Sequence, residues 1–229
     1  MLIKKIINSI NFGIARLHKN RRIKFCVCPC KVNLGSGLDL VDNWINIDLS
    51  LFALFQSFPR FFLKIIYRYS SVRNWYSFIT IDSRLKRGVL IHHNLKYGIP
   101  FDDNQIDYIY TSHFLEHIFK SEADFLLQDC YRCLKKGGIL RICIPDLAFI
   151  IARYLEGDKN YALDNLYNAD QDDSSGSHKY MYDFEMIKEI LKSKGFTEIE
   201  RLSFRKSRLP EIERLEYRED DSLYVEAVK

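Results

Sequence analysis

The chain alternates short apolar runs with longer segments whose apolar residues recur every three or four positions. That is the pattern of strands buried on both faces and of helices that cover them. It predicts strands over 27–34, 44–48, 88–92, 107–112, 139–144, 197–204 and 222–228. Between the fourth and fifth it predicts a helix capped by Ser121, with Asp124 as capping-box partner, and closed by Lys135, Lys136 and Gly137. A second helix starts near Asp146 and passes Ile150, Ile151, Tyr154 and Leu155 to Gly157. A third runs from Asp183 through Ile187, Ile190 and Leu191 to Gly195. The expected class is α/β, a mostly parallel sheet with helices on both faces. A charged loop joins the last two strands, so the finish is expected to include an antiparallel C-terminal strand.

Two segments, 50–82 and 168–178, do not fit a minimal α/β unit, and the start of the chain reads separately. Residues 1–24 place Ile3, Ile6, Ile7, Ile10, Ile14 and Leu17 at helical spacing among basic groups. With no continuous apolar core and no small-residue cleavage site, they read as an amphipathic basic helix that stays on the protein. Residues 50–82 form an aromatic and basic insert, expected to be a lid, a dimer contact or an acceptor region. Its most apolar run is broken by Gln56, Pro59, Arg60 and Lys64, so no membrane-spanning helix is expected. Residues 168–178 are a polar, turn-rich loop. There is neither a repeat nor a linker, so 1–229 reads as a single domain.

Composition narrows this further. The 229 residues are 47% hydrophobic and 28% charged, which excludes disorder, collagen and coiled coil. Lysine plus arginine (34) against aspartate plus glutamate (30) gives +4, too small an excess for a nucleic-acid binder. The charge is uneven, with a basic start and an acidic run at 211–221. Six cysteines without a secretory signal read as reduced thiols of a cytoplasmic protein, or one at the inner face of a membrane. Cys26, Cys28 and Cys30 are expected to alternate along the first strand, and Cys130 and Cys133 to share a helix. Neither set has zinc-ribbon spacing, so packing is the expectation.

Candidate chemistry falls in three places. In KVNLGSGLD at 31–39, Gly35 and Gly37 let backbone approach a ligand closely, and Asp48, at the end of the second strand, is placed for two ribose hydroxyls. That combination asks for a nucleoside, although a purely structural glycine turn is the plainer reading. As a dinucleotide fingerprint it fails, because Leu40 stands where the third glycine belongs and the acid follows too soon, which argues against a nicotinamide dehydrogenase. In HHNLKYGIPFDDNQIDYIYTSHFLEHI at 92–118, Asn94, Ser112 and His113 project beyond the carboxyl ends of strands. His113, Glu116 and His117 match an inverted zinc-protease signature, which needs a helix where this sequence has a strand end. The third place is the 134–138 turn feeding a strand that ends at Pro145 and Asp146.

In this order and spacing, N-L-G-S-G, W-I-N-I-D, I-P-F-x-D-N-x-I-D, S-H-F-L-E-H, C-L-K-K-G-G and I-P-D-L resemble the class I S-adenosylmethionine-dependent methyltransferases. The closer likeness is to the type 11 subgroup seen with bacterial surface polysaccharides (capsule or O-antigen). The resemblance covers roughly 25–229 and implies a Rossmann-like sheet with S-adenosylmethionine as cofactor and S-adenosylhomocysteine as product. It implies that Asn33, Gly35, Ser36 and Gly37 meet the methionine part, Asp48 the ribose, and Asn94 and Leu95 the adenine, with Ser112 and His113 below the sulfonium. Asn33, Asp39 and Asn94 depart from the family's usual acid, glycine and aspartate; an asparagine oxygen still accepts from the adenine amine. His178, in a GSHKYMYD string that the subgroup resembles, is the expected general base, with His113 as competitor and Asp146 orienting an imidazole or binding a sugar hydroxyl. No resident metal is expected; Mg²⁺ assistance is the disfavoured reading. The acceptor is expected to be a small molecule, a nucleotide-linked sugar or a phosphorylated metabolite, gripped by Arg60, Lys64, Arg68 and Arg73, with Arg205, Arg208 and Arg218 as further phosphate candidates. Peripheral membrane contact is a second use for the insert. A non-catalytic nucleotide-binding or membrane-associated module is the alternative function.

Overall fold

The computed structural model describes residues 2–24, 27–167, 176–217, 219 and 221–229, with side chains from residue 9 onward. In chain order the elements are α1 (Leu2–Leu17), β1 (Lys31–Leu34), β2 (Ile45–Asp48), α2 (Leu51–Phe55), α3 (Arg60–Tyr69), α4 (Phe78–Leu85), β3 (Leu90–His92) and β4 (Ile106–Ser112). They continue with α5 (Lys120–Cys133), β5 (Leu134–Pro145), α6 (Leu147–Leu155), α7 (Lys159–Tyr167), α8 (Phe184–Lys194), β6 (Thr197–Leu202), α9 (Ile212–Leu215) and β7 (Ser222–Val228). The seven strands form one sheet in the order β3-β2-β1-β4-β5-β7-β6. Pairing is parallel from β3 through β5. It is antiparallel on both sides of β7, as the charged final loop suggested. The order reverses between β1 and β4, which opens a crevice beyond their carboxyl ends.

The apolar runs become strands because both of their faces are covered. Every residue of β1 is buried, and Val32, Leu34, Ile109, Leu140, Ile142 and Val225 are within 1% of full burial. A second cluster, built from Phe52, Leu63, Ile81 and Leu85, seats the insert on β3. The insert therefore folds as three helices and a short 3-10 turn whose inner faces are core. No described helix is long and apolar enough to cross a membrane.

Local signals set several ends as expected. Asp146 caps α6 by accepting from the Ala148 N–H, and Asp183 caps α8 through Met186. Gly195 ends α8 in the left-handed conformation at φ 100°. Other ends differ. The first strand begins at Lys31, since Pro29 has no N–H and the Cys30 N–H is taken by the Asp107 carboxylate at 2.7 Å. Cys28 is consequently exposed and Cys30 buried, outside any strand; Cys26 lies outside the described residues. Helix α5 starts at Lys120 instead of being capped by Ser121, with the Glu122 carboxylate accepting from the Phe119 N–H at 3.1 Å. Asp124 pairs instead with Lys194. The helix also stops at Cys133, because Leu134 already pairs with Ile106 as the start of β5, and the expected turn at 134–138 is an irregularity within that strand. Helix α7 was not predicted: its polar sequence, KNYALDNLY, carries no long apolar stripe.

Among the described side chains, helix α1 is latched at Asn11 and Ala15. Asn11 donates to the Leu49 carbonyl at 2.8 Å and meets His92 Nε2 at 2.7 Å, while Ala15 is fully buried. Ile10 and Leu17 of the expected stripe are 55% and 83% exposed. Burial, reinforced by His18 and His93, pushes the His92 imidazole down to about 4. Below pH 6.5 the unfolded chain binds a proton that the folded chain refuses, so the contribution is complete above that pH and is lost as pH falls toward 4. After allowance for screening, urea titrations at pH 7 and pH 5 should differ by about 1–2 kcal/mol more in the parent than in His92→Leu. Equal differences in the two proteins would remove His92 from the latch.

Candidate active site

The glycine loop follows β1 directly. Gly35 and Gly37 have φ of 64° and 54°, which glycine adopts without strain. Their surroundings differ. A Cβ on Gly35 would run into the Phe114 ring, so the protein itself uses that close approach, whereas nothing lies within 4 Å of the Cβ position of Gly37. Asn33 is buried below the loop, donating to the Asp39 carbonyl at 3.3 Å and to Asn46 Oδ1 at 3.1 Å. Asp48 Oδ2 accepts from the Gly37 N–H at 3.1 Å and Oδ1 from the Ser50 N–H at 2.7 Å. Burial raises the Asp48 pKa against those two bonds. The Ser36 hydroxyl is buried without a partner, an orphan that a ligand would satisfy.

Two cavities meet here. One, of about 180 Å³, is walled by Asn33, Gly35, Ser36, Gly37, Ser112 and His113, with Tyr110 and Tyr217 opposite. Its neighbour, of about 690 Å³, shares His113 and Tyr217 and adds Glu116, His117, His178, Trp75 and Tyr76. His113 is thus the hinge between glycine loop and larger chamber. It leaves β4 at φ 47°, an uncommon conformation that turns the imidazole off the strand. Burial alone would lower its pKa, yet Cys143 and the Glu116 carboxylate, 3.3 Å from Nδ1, hold it up at about 9. At neutral pH this environment suits a proton donor more than a base.

His178 has the opposite character. Its Nδ1 faces the Asn165 carbonyl at 2.6 Å, which fixes the proton there and leaves Nε2 as the basic nitrogen. Burial lowers its pKa below the usual imidazole value, with His117 and His113 adding to the effect and Glu116 opposing it. The His178 and His117 rings stand 4.9 Å apart.

Of the residues expected from sequence, the cavities bring together Asn33, Gly35, Ser36, Gly37, Ser112, His113 and His178. Asp48, Asn94 and Leu95 line neither cavity. Asn94 spends its oxygen on the Lys96 N–H at 3.0 Å, and Leu95 belongs to the main core. Asp146 is 3% exposed, with one oxygen capping α6 and the other paired with Arg201 at 2.7 Å. Those contacts serve the fold and occupy both carboxylate oxygens.

The basic candidates are mostly committed elsewhere. Arg60 pairs with Asp82, Arg208 with Glu226 and Glu198, and Arg205 bonds Glu216. Lys64, Arg68 and Arg73 line a separate surface cavity beside α3. Arg218 and residues 168–175 lie outside the described residues. The residue unforeseen from sequence is Tyr217, whose hydroxyl donates to Asp39 at 2.9 Å over the glycine loop, while Trp75 and Tyr76 of the larger cavity come from the insert expected as an acceptor region. Arg84 of α4 also pairs with Asp39. The position that would be a third glycine therefore ties the insert and the C-terminal loop to the cofactor loop. A run of acids around a tyrosine was the only sequence signal, and it reads equally as solvated surface.

Strand order, the antiparallel finish and the crevice at the β1/β4 reversal define a Rossmann-like methyltransferase fold. The sequence agrees with this over residues 64–142, which match a family model described as a methyltransferase domain. That segment carries S-H-F-L-E-H and C-L-K-K-G-G but not the glycine loop. No curated protein sequence matches significantly. Among solved structures, PigF with SAH aligns at 11% identity over 88% of this chain and 50% of its own, with a TM-score of 0.51. A SAM-dependent methyltransferase from Thermotoga maritima, named a possible histamine N-methyltransferase, aligns at 17% over 99% and 97%, with a TM-score of 0.49. The Haemonchus contortus phosphoethanolamine N-methyltransferase 2 complex with S-adenosyl-L-methionine gives 17% over 96% and 52%, with a TM-score of 0.46. At these identities the likeness is one of fold.

Proposed function

We propose that the chain is an S-adenosylmethionine-dependent methyltransferase that O-methylates a sugar, or a phosphorylated sugar precursor, of a bacterial surface polysaccharide. One observation carries the reading: a glycine loop with an orphaned serine, at the β1/β4 reversal, opens past His113 into a chamber holding an imidazole with a free basic nitrogen. Bound there, the cofactor supplies an electrophilic methyl group on a cationic sulfur. Ser36 and the open face of Gly37 would receive its methionine part, with the His113 imidazolium facing the carboxylate. Asp48 would receive the ribose after the Tyr217 wall moves outward, since 180 Å³ is below the roughly 300–1,000 Å³ of ordinary ligand sites. His178 Nε2 would take the acceptor's hydroxyl proton.

The chamber itself favours a sugar ring over its phosphate. Trp75, Tyr76 and Tyr217 offer flat apolar faces, and Asp164, Asn165, Glu219 and Asp221 offer acceptors to hydroxyl groups. Those carboxylates, together with Glu116, repel an anion, so a phosphate would lie toward the mouth.

Calorimetry tests the cofactor half. S-adenosylmethionine and S-adenosylhomocysteine should both bind, and Asp48→Ala should weaken them about tenfold or more, given roughly 1.5–3 kcal/mol for a hydrogen bond to a charged group. Loss of the Gly37 contact adds to that. No affinity in the parent protein would leave the non-catalytic module as the surviving reading.

A further inference from the structure

We propose that Glu116, His117 and His178 form a binding site for a divalent transition ion of the zinc class. Their ligand atoms all lie within 4.8 Å of one another on the wall of the larger cavity. A tetrahedral ion with bonds of about 2.1 Å needs its ligands roughly 3.4 Å apart, so small rotations of the two half-buried imidazoles complete the set.

Three further facts point to a cation. Glu116 is 1% exposed and neither of its carboxylate oxygens accepts a hydrogen bond; His113 Nδ1 lies 3.3 Å away but off the hydrogen-bonding direction. His113 supplies positive charge on one side only, and two buried oxygens with no donor on them still have lone pairs to give a cation. The His178 Nδ1 is anchored on a backbone carbonyl, the arrangement that aims the opposite nitrogen of a histidine at a metal. Backbone geometry holds the group together, since the Lys179 N–H donates to the Glu116 carbonyl and so pins the His178 segment beside the 3-10 turn at Leu115–His117.

The donor set decides the class of ion. Two imidazoles and one carboxylate suit zinc and its neighbours, whereas magnesium takes oxygen ligands. Three protein ligands leave a fourth position facing the chamber. A sugar hydroxyl in that position would release its proton to water at a lower pH than a free hydroxyl does. This use deepens the methyltransferase reading and rests on it, and the lone pair assigned above to proton removal then holds the ion. Binding of the ion does not depend on that reading.

The test is metal binding by the full chain, freed of metal by dialysis against a chelator. Titration with zinc chloride should show one tight site per chain, and cobalt chloride should give the visible bands of a tetrahedral nitrogen-bound ion. His117→Ala and His178→Ala should each weaken zinc at least about tenfold, while Asp48→Ala and Cys28→Ser, which removes an exposed thiol, should not. Zinc affinity that survives both histidine substitutions, or falls with Cys28→Ser, overturns the proposal. S-adenosylmethionine binding without a zinc site sinks this inference alone. A zinc site without S-adenosylmethionine affinity sinks the methyltransferase reading alone.

Discussion

Replacing His178 with alanine should reduce methyl transfer to a sugar-nucleotide acceptor by about 10²–10⁴-fold while leaving S-adenosylmethionine affinity within about twofold. The expectation follows from the two nitrogens of one ring. Nδ1 is committed to the Asn165 carbonyl, so Nε2 has no alternative but to present its lone pair to the chamber. Neither the glycine loop nor Asp48 touches His178, which is why binding and turnover should separate. Initial rates at saturating cofactor, beside calorimetry on the same variant, make the comparison. Turnover within threefold of the parent would remove His178 from the reaction, whether as base or as ligand to an ion that does its work.

The sheet was legible because buried strands are written as uninterrupted apolar runs, and burial leaves those residues few alternatives. All seven strands appear, and the ends that shifted did so for reasons of pairing. Leu134 reads as the tail of a helix until Ile106 claims it as a strand partner. The first strand shortens because Asp107, distant in sequence, takes the Cys30 N–H. Helix α7 was illegible for a different reason: its apolar stripe is short and it packs on α6 rather than on the sheet.

The candidate site was half legible. Residues tied to a strand end or a glycine turn could be placed by topology alone, which is how Ser112 and His113 came out beside Gly35 and Gly37. Asp146 shows how a helix cap and a catalytic carboxylate look alike in sequence; the Ala148 and Arg201 contacts become visible only in the fold. Tyr217 and the Glu116, His117, His178 group depend on chain segments meeting across long separations, and no local pattern announces such a meeting.

The placement of Tyr217 leads to the second large effect. Arg141 on β5 and Glu216, next to Tyr217, are both fully buried and joined at 2.8 Å. Arg141 also donates to the Ser203 carbonyl and lies 5.1 Å from the Tyr224 ring centre, while Glu216 accepts from the Arg205 N–H. Arg141→Met keeps most of the apolar stem but strands Glu216 in the interior without its cation. Removing one partner of a buried pair costs about 3–5 kcal/mol, which for a chain of this size corresponds to roughly 10 °C in Tm. The double variant Arg141→Met, Glu216→Leu should recover much of that loss, because a well-packed apolar pair needs no compensation. Recovery of stability need not recover the site. Glu216 fixes the segment that carries Leu215 and Tyr217, the outer wall of the small cavity. The double variant should therefore melt close to the parent and still bind S-adenosylmethionine more weakly. A single variant that melts within about 2 °C of the parent would show that solvent reaches Glu216 and that the pair does not brace the wall.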